Sequence, residues 1–192
     1  IPVGHGELAS GLVGAGRMAE PEDIVEQLNQ YFISVTNHRK VLITAGPTYE
    51  NIDPVRFIGN YSSGKMGYAI AQEMINRGYA VDLISGPSFL AIPEGVQSFT
   101  KVTSAEQMYN ESMAISAHAD ICIMAAAVAD YTPNKVATSK IKKSDQDLEI
   151  QLSKTKDILA SIGANKRENQ VIVGFALETD NEEANAIGKL ER

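Results

Sequence analysis

Two groups of small, polar and cationic residues in this chain follow short apolar runs. The first lies in residues 41–67, VLITAGPTYENIDPVRFIGNYSSGKMG, and the second in residues 124–143, MAAAVADYTPNKVATSKIKK. In the first group, Gly46, Ser63 and Gly64 leave room for backbone N–H groups to approach an anion. This stretch therefore predicts a phosphate-binding cavity at the carboxyl end of a strand.

The run from Gly59 to Lys65, GNYSSGK, fits the phosphate-loop pattern G-x-x-x-x-G-K. Two features argue against a mononucleotide P-loop. Met66 stands where such a loop needs a Ser or Thr hydroxyl for magnesium, and we expect no strand directly before Gly59. We interpret the run as the start of a helix at Gly64, whose dipole favours negative charge. The alternative prediction is a plain helix start that Ser62 or Ser63 caps, without a ligand.

The second group follows the apolar run DICIMA at 120–125, so Asp130 should lie near the carboxyl edge of the sheet. Its carboxylate can accept hydrogen bonds from ribose hydroxyls or hold magnesium, and the alanines before it let a flat ring lie against the backbone. Lys140, Lys142 and Lys143 either reach a polyphosphate as mobile charges or form a solvated surface run.

The remaining reactive residues do not form a second site. Cys122 lies between two isoleucines in an apolar strand, so we expect a buried, unreactive thiol. His5, His38 and His118 lack partners at metal-ligand spacing.

Composition excludes two classes of partner. The 17 basic and 24 acidic residues give a net charge of −7, which argues against an overall basic surface for nucleic acid or an anionic membrane. No apolar run approaches the ~18 residues that a spanning helix needs, and no signal-peptide pattern opens the chain. We therefore expect a cytoplasmic protein.

Apolar runs alternate with helical periods through residues 41–192, which predicts an α/β fold with a parallel sheet covered on both faces. Strands are predicted at 41–44, 81–85, 97–102, 120–125, 148–152 and 171–175. Helices are predicted at 64–78, 104–117, 156–164 and 181–189. Ser104 and Gln107 predict a capping box on the second of these helices, and residues 49–63 predict a long structured loop.

Residues 1–38 differ from the rest of the chain. Residues 1–20 are rich in glycine without either period, which predicts a loop, and a helix is predicted from Pro21. We divide the chain into this N-terminal part, residues 1–38, and a main domain, residues 39–192. Because the chain opens at Ile1 in a run typical of the middle of a protein, we expect it to be part of a longer polypeptide.

Five motifs occur in the order ITAGPT, DPVRFIGNYSSGKMG, AAAVADY, KIKK and GFALET. Together they resemble the phosphopantothenoylcysteine synthetase domain of the bifunctional coenzyme A biosynthesis protein, over residues 39–192. The run ELASGLVGAGRMAEP resembles the last part of the decarboxylase that precedes this domain. The resemblance implies a Rossmann-like three-layer fold and a homodimer that ligates 4'-phosphopantothenate to L-cysteine through an acyl-cytidylate, with CTP as co-substrate and Mg2+.

The resemblance also implies roles for individual residues. Asn60 corresponds to an asparagine that engages the substrate carboxylate, Arg56 would bind an anionic part of phosphopantothenate, and Lys140 corresponds to a lysine needed for turnover. The turn at Gly46 would form a wall of the CTP site, beside the anion-binding helix start at Ser63 and Gly64. Further nucleotide contacts are implied at Met124, Ala125, Ala126, Asp130, Lys156, Asp157, Ile158, Leu159, Phe175 and Lys189.

The chain departs from the family pattern at three places. Ser10 stands where the decarboxylase carries its active cysteine, so no decarboxylase activity and no FMN are expected. Lys156 replaces a proline, and the chain ends at Arg192, before a second lysine of the nucleotide site. Two alternatives stay open: an NAD(P)- or flavin-binding oxidoreductase on the same fold class, and a nucleotide-binding fragment without turnover. The metal ligands are not assigned.

Overall fold

The computed structural model describes residues 3–7, 10–36, 39–143 and 147–175. The chain separates into two compact units, residues 1–38 and 39–192. The helix predicted at 181–189 and the nucleotide contact predicted at Lys189 lie outside the described residues. Within the described part of the chain, no helix is long and apolar enough to cross a membrane.

The first unit contains an antiparallel hairpin of β1 (Gly4–Glu7) and β2 (Val13–Arg17), followed by helix α1 (Pro21–Thr36). The predicted helix is confirmed, but the prediction of a loop over residues 1–20 is wrong. These strands are glycine-rich and most of their residues are exposed, so they lack the apolar alternation by which a strand is recognised.

The second unit has three helices and nine strands among its described residues. In chain order they are β3 (Lys40–Ala45), β4 (Tyr49–Asn51), β5 (Phe57–Gly59), α2 (Lys65–Asn76), β6 (Ala80–Ser85), β7 (Ser98–Lys101), α3 (Ala105–Ser116), β8 (Ile121–Met124), β9 (Tyr131–Pro133), β10 (Leu152–Lys154), α4 (Ile158–Ala164) and β11 (Val171–Gly174).

Five of these strands form the central sheet, in the order β11-β8-β3-β6-β7, and every neighbouring pair is parallel. Successive side chains of a strand point to opposite faces. Val41 and Ile43 accordingly pack in a cluster that includes residues of α2, whereas Leu42 packs in a cluster that includes residues of α3 and α4. Both faces of the sheet are therefore buried, and the predicted Rossmann-like three-layer fold is confirmed.

The strand order creates a switch point beside β3. From β3 the chain continues to β6 and β7 on one side, then returns to β8 and β11 on the other. Open α/β sheets bind ligands at the carboxyl ends of the strands on either side of such a point. The residues that follow β3 and β8 are therefore the ones to consider for a site.

Two small hairpins lie outside the central sheet, β4 with β5 and β9 with β10. The first occupies much of the loop predicted at 49–63, and the second replaces the strand predicted at 148–152, of which only Leu152 belongs to β10. Three-residue strands are too short to show a period. Around β4 and β5, the Asn, Asp and Pro residues are also typical of turns.

The capping box predicted at the start of α3 is confirmed. The Ser104 hydroxyl accepts from the Gln107 amide, and the Gln107 side chain accepts from the Ser104 amide. These two bonds satisfy donors that the first turn of a helix leaves without partners. The helix itself ends at Ser116, one residue before the predicted end.

Cys122 is fully buried in β8, as predicted. Burial raises the pKa of its thiol to about 11, against the opposing effect of the Arg167 charge. At pH 8 we expect this thiol to resist an aromatic disulfide reagent in the native protein and to react once guanidinium unfolds the chain. Release of chromophore from Cys122 within minutes in the native state would contradict its burial.

Candidate functional site

The segments that leave β3 and β8 stay paired beyond the sheet. Ala127 N–H donates to Gly46 O at 2.9 Å, and Thr48 N–H donates back to Ala127 O at 3.2 Å. The Thr48 hydroxyl accepts from Ala129 N–H at 2.9 Å, so a side chain takes over where backbone pairing stops. The two exits from the sheet therefore form one hydrogen-bonded surface at the switch point.

Three glycines allow helix α2 to begin against this surface. Gly46 and Gly64 have φ of 76° and 82°, in the left-handed region that favours glycine. A Cβ at Gly64 would lie 3.2 Å from Gly46 Cα, and one at Gly67 would lie 2.6 Å from Ala45 Cβ. The close approach brings the positive end of the α2 dipole to the end of β3, where it favours an anion.

No side chain caps α2, so the prediction of a serine cap is wrong. Gly64 is the N-cap residue, and Ser62 and Ser63 instead accept from Gly64 N–H at 3.3 Å and Lys65 N–H at 3.5 Å. The expectation that no strand precedes Gly59 is also wrong, because β5 ends there. This strand is antiparallel and outside the central sheet, so the strand–loop–helix context of a P-loop is still not met.

Asn60 lies at the same edge. Its side-chain Nδ2 donates to Ala127 O at 3.0 Å, which holds the amide over the exit from β8. Ala127 O thus accepts from both Asn60 and Thr48, which uses both lone pairs of that carbonyl. The structure therefore brings Asn60 together with the turn at Gly46.

The backbone predicted to contact the nucleotide base continues this edge. Met124 pairs with Thr44 on one side and with Gly174 on the other. Ala125 N–H donates to Thr44 O at 3.1 Å, and Ala126 N–H reaches the Thr44 hydroxyl at 3.3 Å. The backbone of residues 124–126 is therefore fixed between β3 and β11.

Leu159 and Phe175 lie at the β11 end of this edge. A Cβ at Gly174 would lie 2.5 Å from Leu159 Cδ2, so glycine at this position lets that leucine side chain keep its place. Phe175 follows directly and is half exposed. Two predicted nucleotide contacts thus present apolar surface next to the carboxyl end of β8.

Three other predicted contacts have side chains engaged elsewhere. Asp157 caps α4 by accepting from Ala160 N–H at 2.9 Å, so the helix predicted from Lys156 begins at Ile158. Ile158 is buried in the core, and the Lys156 ammonium lies 4.6 Å above the ring of Tyr109. The Asp157 and Ile158 side chains are therefore used within the fold rather than turned toward a ligand.

Asp130 and Lys140 are both exposed. The backbone oxygen of Asp130 accepts from Thr155 N–H at 2.9 Å, which brings the stretch before α4 next to it. Lys140 precedes Ile141, whose backbone is bonded to the turn between β4 and β5. The structure therefore links Lys140 to the hairpin that leads to Asn60.

Arg56 is engaged in an ion pair with Asp53, a residue that sequence reasoning missed. The Asp53 carboxylate is buried, whereas the Arg56 side chain is 42% exposed. The Arg56 guanidinium, together with the backbone N–H groups of Val55, Ile141 and Arg56, lowers the pKa of Asp53 against the opposing effect of burial. The available signal was an Asp–Pro pair with arginine three residues after the aspartate, typical of a side-chain-capped turn.

The described residues contain no group of three or more His, Cys, Asp or Glu side chains placed to hold a metal ion. Mg2+ commonly binds through one or two carboxylates and the phosphates of a substrate. Asp130, exposed at the edge of the site, fits that kind of contact.

A sequence profile of the DNA/pantothenate metabolism flavoprotein C-terminal domain matches residues 36–192. The chain belongs to this family. The crystal structure of the C-terminal domain of the coenzyme A biosynthesis bifunctional protein CoaBC is 42% identical and superposes with a TM-score of 0.71, over 82% of this chain and 74% of that one. The family resemblance predicted from the five motifs is thereby confirmed.

Curated relatives of this flavoprotein family are similar over nearly the whole chain. CoaBC from Bacillus subtilis is 45% identical over 194 residues, which are 99% of this chain and 48% of that protein. A cysteine/cysteine sulfinic acid decarboxylase from an unidentified prokaryote is 48% identical over 198 residues, 100% of this chain and 55% of that protein. The chain thus spans about half the length of the curated relatives it matches.

The ion pair of Asp53 and Arg56 makes the free energy of unfolding depend on pH. Because the folded pKa of Asp53 is lowered, its stabilisation is present above the unfolded value of about 3.9 and is lost as pH falls through the folded value. In urea unfolding between about pH 2 and pH 7, we expect the stability difference between wild type and Asp53→Asn to shrink below about pH 4. A difference that stays constant down to the lowest pH would contradict the lowered pKa.

The close approach of Gly64 to Gly46 can be tested with a matched pair of glycines. Gly64→Ala should destabilise the fold by about 1–2 kcal/mol, since a left-handed backbone disfavours Cβ. Gly163→Ala, in helix α4 with open space around its Cα, should stabilise it by about 0.5–1 kcal/mol. Denaturant unfolding measures both. Equal effects of the same sign would show that the Gly64 backbone is not strained.

Proposed function

We propose that this chain ligates 4'-phosphopantothenate to L-cysteine with cleavage of CTP, as one step of coenzyme A biosynthesis. The observation that carries the proposal is the position of Asn60, whose amide is bonded to Ala127 O at the switch point. Beside it, the Gly46 turn and the start of α2 form an anion-binding surface. Membership of the flavoprotein C-terminal domain family supports this assignment.

The proposed reaction has two steps. A carboxylate oxygen of phosphopantothenate attacks the α-phosphorus of CTP. The bond between this phosphorus and the oxygen that bridges it to the β-phosphate breaks, and pyrophosphate leaves. The cysteine amine then attacks the carbonyl carbon of the acyl-cytidylate, loses a proton and displaces CMP. Activation is needed because a free carboxylate has no good leaving group, and cations near the triphosphate stabilise the charge that develops in the first step.

The residues of the site suit these steps. The uncharged amide of Asn60 can donate to one oxygen of the substrate carboxylate without neutralising its partner oxygen. The N–H groups of Ala125 and Ala126 are bonded to Thr44, so this backbone would offer its carbonyl groups to the cytosine edge, while Leu159 and Phe175 offer apolar surface beside it. Lys140 would supply a mobile positive charge to the triphosphate. The side chain of Arg56, which is partly exposed, would bind an anionic group of phosphopantothenate.

We place Mg2+ on the triphosphate, with Asp130 as the protein group that fits it. The ion would neutralise phosphate charge. The described residues otherwise lack the clustered carboxylates of a metal cage.

A homodimer is part of the proposal. Val55 and Phe57 of the first hairpin, and Tyr61 just beyond it, are 61%, 48% and fully exposed. Exposed apolar side chains grouped in one segment support a protein contact. If a second copy covers this segment, the hairpin of one protomer would lie beside the site of its partner.

The name of one relative, a cysteine/cysteine sulfinic acid decarboxylase, favours decarboxylation as a second candidate. The two candidates release different products. Ligation forms pyrophosphate and CMP, whereas decarboxylation forms carbon dioxide and needs no nucleotide.

The decisive assay supplies the full-length protein with phosphopantothenate, cysteine, Mg2+ and one nucleotide at a time. We expect pyrophosphate and CMP with CTP, and much less product with ATP or UTP. Carbon dioxide without pyrophosphate would favour the decarboxylase, and thermal stabilisation by NADPH would favour an oxidoreductase. Failure of CTP to support any product would overturn the proposal.

Asn60→Ala tests the role of the amide. The side chain is exposed and makes one hydrogen bond, to Ala127 O, so the melting temperature should change by only a few degrees. Product formation should fall by about 100-fold or more, the usual cost of losing one donor at a reacting oxygen. Asn76→Ala is the control, since Asn76 is exposed at the end of α2 and accepts only from Gln72. A rate for Asn60→Ala equal to that of the control would refute the assignment.

A further inference from the structure

The Asp53 carboxylate joins two parts of the chain that are far apart in sequence. Its Oδ1 accepts from the backbone N–H groups of Val55 and Arg56 at 2.8 and 2.9 Å. Its Oδ2 accepts from the Arg56 guanidinium, with Nε at 3.0 Å, and from Ile141 N–H at 3.1 Å. Each oxygen thus has at least two donors, and the side chain is 0% exposed.

Ile141 is held on both sides of its own backbone. Its N–H donates to Asp53, and its carbonyl accepts from Arg56 Nη2 at 2.9 Å. A third bond, from Ala137 N–H to Ile52 O at 3.0 Å, fixes the same segment four residues earlier. Residues 134–143 belong to no helix or strand. Asn134 N–H is bonded to Gln151 O at the start of this segment, and the bonds to the hairpin turn locate the part that leads to Ile141.

This link connects two of the residues to which the proposed reaction gives polar roles. Lys140 directly precedes Ile141, while the hairpin that carries Asp53 leads through β5 to Asn60. Lys140 is exposed and flexible beyond its Cα, so its reach depends on where its backbone is anchored. The anchor is the buried Asp53 carboxylate and its ion pair with the partly exposed Arg56.

A purely structural purpose does not account for this arrangement well. Burying an ion pair offsets much of its Coulombic gain by desolvation, and apolar residues of similar volume often stabilise a fold as much. The carboxylate instead fixes a position, because it binds donors from two parts of the chain and so holds the backbone of Ile141 at the hairpin turn.

We propose that Asp53 is a positioning residue, which fixes the backbone of Ile141 and thereby sets the position of Lys140 relative to Asn60. The inference rests on the proposed function, because the role of Lys140 in nucleotide chemistry does. It adds a residue that touches neither substrate and acts through its neighbour.

The test compares Asp53→Asn with wild type and with a matched control in the full-length protein. The control is Glu50→Gln, since Glu50 is also buried in the same hairpin but accepts from Ala105 N–H at the start of α3. Backbone hydrogen exchange is measured for the peptide that contains Ile141. We expect faster exchange in Asp53→Asn and exchange unchanged at that peptide in Glu50→Gln.

Steady-state kinetics separate a positioning role from a purely structural one, because kcat and the KM for CTP are measured independently. In Asp53→Asn, kcat for CMP formation should fall by about 10- to 100-fold, the usual effect of misplacing a reacting group. The KM for CTP should stay within about twofold, since the backbone contacts to the base are retained and Lys140 acts mainly on the charge that develops in the transition state. Glu50→Gln should keep both constants. Asp53→Glu, which retains the charge, should recover part of kcat.

Should Asp53→Asn fail to fold, Ile141→Pro removes the N–H donor and leaves the ion pair in place; it is expected to give the same fall in kcat. Faster exchange at Ile141 with unchanged kcat would overturn the proposal, as would unchanged exchange. Absence of pyrophosphate release from the wild type would instead overturn the proposed function, and it would be seen before any variant is made.

Discussion

The contact between the backbones of Gly46 and Gly64 is the constraint on which the rest of the site depends. Strand β3 is buried on both faces, so its position is fixed by the core. Helix α2 can begin directly at the end of that strand because Gly64 carries no Cβ, which would lie 3.2 Å from Gly46 Cα. A side chain at Gly64 would push the helix start away from the sheet edge and move its dipole from the exits of β3 and β8. A Cβ at Gly46 would instead meet the backbone of Gly86, 3.1 Å from its oxygen.

The surrounding walls come from irregular parts of the chain. The first hairpin contributes Asn60, the segment after β9 contributes Lys140, and the start of α4 contributes the backbone next to Asp130. The exposed Asn60 and Lys140 are not located by core packing, whereas α4 is also held by the buried side chain of Ile158. Each segment is attached by hydrogen bonds to backbone groups of another loop, so polar contacts set their distances from the rigid sheet.

The central strands were predictable because burial on both faces requires continuous apolar runs, such as VLITA in β3 and ICIM in β8. The start of α3 was predictable because Ser104 and Gln107 act over three residues. The two hairpins were not predictable, because strands of three residues are too short to show a period. Asp53 was missed for a related reason: its partner Ile141 lies 88 residues away, and nothing local in either segment indicates the other.

The paired exits of β3 and β8 have a consequence for the shape of any ligand. In a doubly wound sheet, a dinucleotide usually enters a crevice where the loops after these two strands part. Here the loops stay bonded through Gly46, Thr48, Ala127 and Ala129, and this crevice is closed by main chain. The carboxyl edge of the sheet is thus a continuous surface rather than a crevice at this point. In the proposed reaction, a nucleotide that lies on this surface would have its other face uncovered, and the hairpins and Lys140 would have to cover it.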